Sequence, residues 1–262
     1  MNSNILVIGN QLTIYMGLLP DIAEHSHTTA VIALSLNEES IGARNRPEKL
    51  WRDHQAYFIH AEASNEMRLY GNPIACIFIE PDSDLHQRFI EKHSFEENRL
   101  FTYQYQLNEL KNILNTFSKN PTCPDKLSTT VINTILGVGV APSRKEFDQR
   151  VITCSTLIKD NIGDNLSSQD LANAVSLSER QLSTLFKQDM GLPIRKYRLW
   201  LRLKNVARLV DTGRMLTDAA IDSGFSDSAH FANSCKKLLG LKPTDIMATN
   251  KPLTLFATSD FV

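Results

Sequence analysis

Two hydrophobic periods divide the chain. Through residue 80 the apolar positions come in short runs rich in β-branched and aromatic side chains: ILVI (5–8), LTIYM (12–16), TTAVIALSL (28–36), AYFIHA (56–61), EMRLY (66–70) and IACIFIE (74–80). Gly9-Asn10, Gly71-Asn72-Pro73 and Pro81-Asp82 separate them, residue types that turns select for their backbone freedom or fixed φ. Short strands at this spacing, without helical stretches between them, predict a sandwich or small β-barrel. After Tyr103 the period lengthens. Leu107, Leu110, Ile113, Leu114 and Phe117 recur every three or four positions, which predicts a helix over 103–117 with one apolar face. That face either packs on its own β-domain or meets a second copy of the chain. A further helical stretch, 126–136, follows the break Asn120-Pro121-Thr122-Cys123-Pro124, and Gly137, Gly139, Pro142 and Ser143 make an interdomain linker ahead of RKEFDQR.

The last third then repeats itself. LSSQDLANAVSLSERQLSTLFKQDMGLP (166–193) is followed by LTDAAIDSGFSDSAHFANSCKKLLGLKP (216–243). From the front, Asp170, Ala172, Leu177 and Ser178 answer to Asp218, Ala220, Phe225 and Ser226; from the back, Leu182, Lys187, Gly191, Leu192 and Pro193 answer to Phe231, Lys236, Gly240, Leu241 and Pro243. In the first copy Ser167 and Asp170, then Ser178 and Gln181, read as capping boxes. Leu182, Leu185, Phe186 and Met190 form a buried stripe that Gly191 ends, which leaves Arg180, Ser183, Thr184 and Lys187 facing outward. In the second copy Ser226 or Asp227 caps, Phe231, Cys235, Leu238 and Leu239 turn inward, and Ala229, His230, Asn233, Lys236 and Lys237 turn outward. Between the copies runs IRKYRLWLRLKNVARLVDTG, a helix of some 18 residues and hence roughly 27 Å, opened by Pro193 and closed by Gly213. Its Arg195, Lys196, Arg198, Arg202, Lys204 and Arg208 are candidate phosphate partners. Two helix–turn–helix units on such a strut predict readers of neighbouring major-groove segments.

Residues 151–247 are similar to the AraC/XylS transcriptional regulators, most specifically through GFSDSAHF…KK.LG..P in the second copy. The resemblance implies a seven-helix domain with its two units in adjacent major grooves. The chain departs from the family at Cys235, where Phe is usual, and at Thr184 and Asn233, where Arg is common. On this reading Arg180 suits guanine, Asn233 suits adenine, His230 suits a phosphate or base edge, and Lys187, Lys236 and Lys237 neutralise the backbone.

The front half resembles, through EHSH (24–27) and IACIFIEPDSDL (74–85), the small cupin barrels of one branch of that family. Metal-binding cupins join an H-x-H pair to a downstream carboxylate and a third His, but here Asn65 stands near the third place. His25 and His27, two apart, share one strand face; they either line an effector pocket or are structural or solvated, with a metal site the lesser reading, and no metal and no cofactor is expected.

Charge sharpens the division. Residues 1–143 hold 11 Lys and Arg against 16 Asp and Glu, and residues 144–262 hold 17 against 13, so an acidic front meets a basic back, as suits a sensor joined to a phosphate-contacting module. Four scattered cysteines without a C-x-x-C pair suit reduced thiols in a cytoplasmic protein. No apolar run reaches the ~20 residues of a membrane span.

The fold class expected is thus α+β in two domains. A cupin-like β-barrel over about 1–95 and helices over about 100–136 form a sensor and dimerisation domain (1–136). A linker (137–150), an all-α DNA-binding domain (151–250, with units at 167–190 and 216–239) and a tail (251–262) follow. The function expected is an effector-responsive activator, not an enzyme. It would bind double-stranded operator DNA, RNA polymerase and a small effector, and form a homodimer through the 103–117 helix. A metal-dependent cupin enzyme fused to a DNA-binding domain, or an architectural DNA binder without effector, are the alternatives.

Overall fold

The computed structural model describes residues 3–45, 50–93, 99–137, 146–164, 166–247 and 252–261. The chain folds as two compact units, one of Met1–Ser143 with Cys235–Val262, the other of Arg144–Ser234. In the first, β1 (Asn4–Ile8), β2 (Leu12–Gly17), β3 (Ile22–Ser26), β4 (Ala30–Ser35), β5 (Ile41–Asn45), β6 (Arg52–His54), β7 (Ala56–Ile59), β8 (Ser64–Arg68) and β9 (Ile74–Ile79) precede α1 (Asp84–His93), β10 (Leu100–Thr102), α2 (Leu107–Lys119) and α3 (Pro124–Leu136). The second holds α4 (Gln149–Asp160), α5 (Ser168–Ala174), α6 (Glu179–Met190), α7 (Ile194–Asp211), α8 (Leu216–Asp222) and the beginning of α9 (Ser228–Leu239). The chain ends, back in the first unit, with α10 (Pro243–Met247) and β11 (Leu253–Ala257).

The strands form two sheets rather than one closed barrel: β10-β7-β4-β9-β2-β1-β11 and β3-β8-β5-β6. Strands β2, β4, β7 and β9 are buried at every position, which explains their nearly unbroken apolar sequences. On one face of the larger sheet Ile14, Ile32, Phe58 and Ile77 pack with Leu110, Leu114, Val131 and Ile135 of the helices. From β7, the Tyr57 hydroxyl donates to the carbonyls of Ile41 and Arg52 and so ties the larger sheet to β5 and β6 of the smaller one.

Three features depart from the sequence-based expectation. Helix α1 occupies residues assigned to the barrel, its contribution to the core resting on Leu85 and Phe89. The apolar stripe of α2 lies in the core of its own unit: Leu110 and Leu114 are fully buried, Phe117 nearly so, and Leu107 and Ile113 pack against them. Leu110, Leu114 and Phe117 thus pack on their own β-domain, the first of the two roles open to this face, while Leu107 and Ile113 are only partly buried. Finally, the tail is not an appendage. Strand β11 pairs in parallel with β1, from Asn4 opposite Leu253 to Ile8 opposite Ala257, and covers what would otherwise be an open sheet edge. Ser259 clinches it, donating its N–H and hydroxyl to the Asp125 carboxylate at 2.8 and 2.7 Å.

In the second unit, Asp148 caps α4 by accepting from the Arg150 N–H at 2.9 Å. Val151, Cys154, Ile158, Leu171, Leu182, Phe186, Met190 and Tyr197 form one core beneath α4–α7. Of the linker glycines, Gly137 closes α3 with φ 80°; Gly139, Pro142 and Ser143 lie outside the described residues. Among the described residues no helix is long and apolar enough to cross a membrane.

Candidate nucleic-acid interface

Both copies of the repeat fold as helix pairs with the same turn. After α5, the Leu177 N–H donates to the Ala172 carbonyl at 3.0 Å; after α8, the Phe225 N–H donates to Ala220 at 3.1 Å. The residue before each donor, Ser176 or Gly224, is left-handed, as helix-terminating bonds of this span require. Capping then starts the second helix of each pair. Ser178 and Gln181 form the reciprocal box at α6, as Ser167 and Asp170 do at α5. At α9 Asp227 caps, its carboxylate accepting from the His230 N–H at 2.7 Å. That bond, then one from Ser226, holds the Asp227 carboxyl below its ordinary pKa.

The apolar sides of α6 and α9 are buried and the polar sides are not. Leu182, Phe186 and Met190 are core residues, whereas Arg180, Ser183, Thr184 and Lys187 are exposed. Phe231, Cys235 and Leu238 are buried, whereas Ala229, His230, Asn233, Lys236 and Lys237 are exposed. Burial pushes the Cys235 thiol up to about 12, in keeping with a packing role. The His230 ring is oriented by its surroundings. It stands edge-on to Phe225 at 5.3 Å, and its Nδ1 accepts from the Ser226 N–H at 3.4 Å. An accepting Nδ1 puts the proton of the neutral ring on Nε2, so the exposed edge offers a donor.

A helix–turn–helix domain family matches residues 171–249. Over 90 residues the chain is 30% identical to the HTH-type transcriptional regulator ArgR of Pseudomonas aeruginosa, covering 34% of this chain and 27% of that protein. Over 103 residues it is 31% identical to the arabinose operon regulatory protein of Escherichia coli, covering 38% and 35%. The repeat is a helix–turn–helix domain similar in sequence to those of these two regulators. The chain spans about a third of the length of these relatives. The fold comparison reaches further: ToxT of Vibrio cholerae superposes with a TM-score of 0.57 at 12% identity, covering 91% of this chain and 97% of that one. At that identity the likeness is one of fold alone, a strand-rich front followed by a helical region.

Within the helix–turn–helix domain the strut cations divide. Arg195 and Arg208 are exposed, but Arg202 and Lys204 are only 6% and 5% exposed. Arg202 donates to the carbonyls of Ile162 and Asp164, both at 3.3 Å, and its guanidinium lies against Gly224, where a Cβ would stand 2.7 Å away. Burial lowers its pKa. Arg202 is a structural cross-brace, and neither it nor Lys204 is presented to phosphate. Sequence reasoning missed this brace; the glycine at the matching turn was its one visible trace.

The front-domain histidines are brought together. His25 and His27 are 5% and 7% exposed, with their Nε2 atoms 2.9 Å apart. Asn65 stands opposite His25 on β8 and spends its amide N–H groups on the carbonyls of Ala63 and His25. Among the described residues no three His, Cys, Asp or Glu side chains converge as metal ligands would.

Proposed function

We propose that the chain is a sequence-specific transcription regulator of the AraC/XylS type, an activator whose front domain responds to a small effector. The observation that carries this reading is the pair of exposed faces on α6 and α9, built on the same turn and cap in both copies of an AraC-type domain. Arg180 takes guanine as a bidentate donor, Asn233 takes adenine through its amide, and His230 donates from Nε2 to a base edge or phosphate. Ser183, Thr184 and Ala229 line the same faces, and Lys187, Lys236 and Lys237 neutralise phosphates.

The partners follow from that role: operator DNA, RNA polymerase, an effector and a second copy of the chain. A DNA-binding regulator works in the cytoplasm, and no catalytic step is assigned to it. ToxT, of the same fold, has been solved with an unsaturated fatty acid bound, which supports an effector role for a strand-rich front of this kind. Because the α2 stripe is internal, the dimer contact is assigned to the outer side of α2, around Asn112 and Thr116, both exposed.

Selection of bound sequences from a random DNA pool by the full chain tests the proposal. Enrichment of two short motifs centred about 10–10.5 base pairs apart is the expected result. Binding without enrichment, with affinity set by salt alone, would place the protein among architectural binders and overturn the reading.

A further inference from the structure

Helices α2 and α3, joined by the short break 120–123, leave a cleft of about 360 Å³ on their outer side. The side chains along its rim, Asn112 and Thr116 on α2 and Thr130 on α3, are too short to close it. Thr130 is moreover turned to its own helix, its hydroxyl donating to the Lys126 carbonyl at 2.7 Å. The floor is apolar. Phe117 and Leu127 are 6% and 4% exposed and belong to the core beneath, and Ile113 is half-buried against it. A cleft of this volume, apolar below and polar at the rim, falls within the range of small-molecule sites.

One lining side chain is charged. Lys126 is exposed, and among the described residues no carboxylate pairs with its ammonium. The acid beside it in sequence, Asp125, is engaged elsewhere, accepting the N–H and hydroxyl of Ser259 at 2.8 and 2.7 Å. Glu109, one turn before Asn112, does not line the cleft. The cleft therefore offers a greasy floor and one uncompensated positive charge.

We propose that this cleft binds a small organic monoanion, its apolar body on Ile113, Phe117 and Leu127 and its carboxylate at Lys126. The site gives the effector proposed above a place and a charge, and takes its role from that reading. The two contacts contribute differently. Burial of the apolar body supplies the affinity, while an exposed ion pair adds little and chiefly selects the sign of the charge. A neutral isostere therefore binds too, only more weakly. From the cleft α3 runs to Gly137, so an anion that bridges α2 and α3 acts on the helix leading into the linker. Asn112 and Thr116 also lie on the side of α2 given to the dimer contact, which makes a second copy of the chain the rival occupant.

The cleft carries its own reporter. Cys123 lines it and is exposed, whereas Cys76, Cys154 and Cys235 are buried. The folded full chain thus presents a single thiol to N-ethylmaleimide, and intact mass follows its labelling. Phenylacetate and its neutral isostere phenylacetamide are the probes, with glutathione in the same solution as the rate standard. Phenylacetate should slow labelling by one plus the ratio of its concentration to its dissociation constant, about fivefold at roughly four times that constant. Phenylacetamide should need about threefold more for equal protection, the size of an exposed ion pair. In Lys126→Gln, a substitution at an exposed position, that preference should vanish. No protection by phenylacetate at millimolar concentrations, equal protection by the two probes, or an unchanged preference in the variant each overturn the site. Labelling that slows with protein concentration and ignores the acid gives the cleft to a second copy, which overturns it as well. Operator affinity with phenylacetate bound separates site from role: protection without a change in affinity keeps the site and removes the effector reading alone.

Discussion

Ser176 and Gly224 occupy the same place in the two copies of the repeat, each in the left-handed region, with φ 54° and 86°. Only one of them has the residue that place favours. Ser176 is exposed and bears the Cβ strain of that conformation, so Ser176→Gly should be neutral or stabilise by up to about 1 kcal/mol. Gly224→Ala should do the opposite. Its Cβ would add the same strain and press on the Arg202 guanidinium, for a loss of about 1–3 kcal/mol. Urea midpoints of the two variants, moving in opposite directions, check the pair.

Arg180→Ala should weaken binding to the selected operator by about 1–3 kcal/mol and relax preference at one base pair. Lys187→Ala should instead weaken binding to all sequences alike and reduce the slope of log affinity against log salt by about one. Titrations at two or more salt concentrations separate these outcomes. An Arg180→Ala protein that binds its operator as tightly as wild type at matched salt is no base reader there.

The helical domain was legible because its signals are local. Each helix of the first copy carries its own capping box, and the outward faces of α6 and α9 follow from apolar spacing alone. The strut was less so. Arg195 and Arg202 lie two turns apart on one side of α7, yet one is exposed and the other braces Gly224; helical phase cannot distinguish them. In the front domain the buried central strands were legible as continuous apolar runs. The mixed strands were not: β3 (IAEHS) and β5 (IGARN) alternate weakly, since only some positions of each are buried. Helix α1 shows few apolar positions, too few for a period. Strand β11 has no local signature at all, because its partner is at the other end of the chain.

Leu114→Ala should cost about 2–5 kcal/mol by leaving a cavity under α2, without changing the mass of the native particle. Leu110→Asp with Leu114→Asp should unfold the front domain rather than dissociate a dimer, since each carboxylate would be buried among apolar groups. Circular dichroism and light scattering on the same samples distinguish lost fold from lost association.

Acid should loosen the helix starts. Asp170 and Asp227 are both held below the ordinary carboxylate pKa by the hydrogen bonds of their caps. A depressed carboxylate contributes stability that is present above its unfolded pKa of ~3.9 and is lost as pH falls through the folded value. Below pH ~4, then, helix content in the helix–turn–helix domain should fall more steeply in the wild type than in D170N/D227N. Equal acid transitions in the two proteins would mean that the caps do not govern this loss.

Removal of the tail tests whether β11 belongs to the front sheet in energetic terms. Its five residues pair with β1, Phe256 meets Phe117 at 5.6 Å, and Thr258 donates its N–H to the Ile8 carbonyl at 2.9 Å. Without it, β1 becomes the edge of the sheet, and its sequence NILVI is short of the charges that protect natural edges. A chain ending at residue 251 should therefore unfold at lower urea and aggregate more readily, although no residue of the DNA-reading faces has been removed. Asp125→Asn isolates the latch: it keeps the strand but weakens the two bonds from Ser259, so it should shift the urea midpoint in the same direction and by less. A truncated chain as stable and as soluble as the full one would mean that β11 lies on the sheet without supporting it.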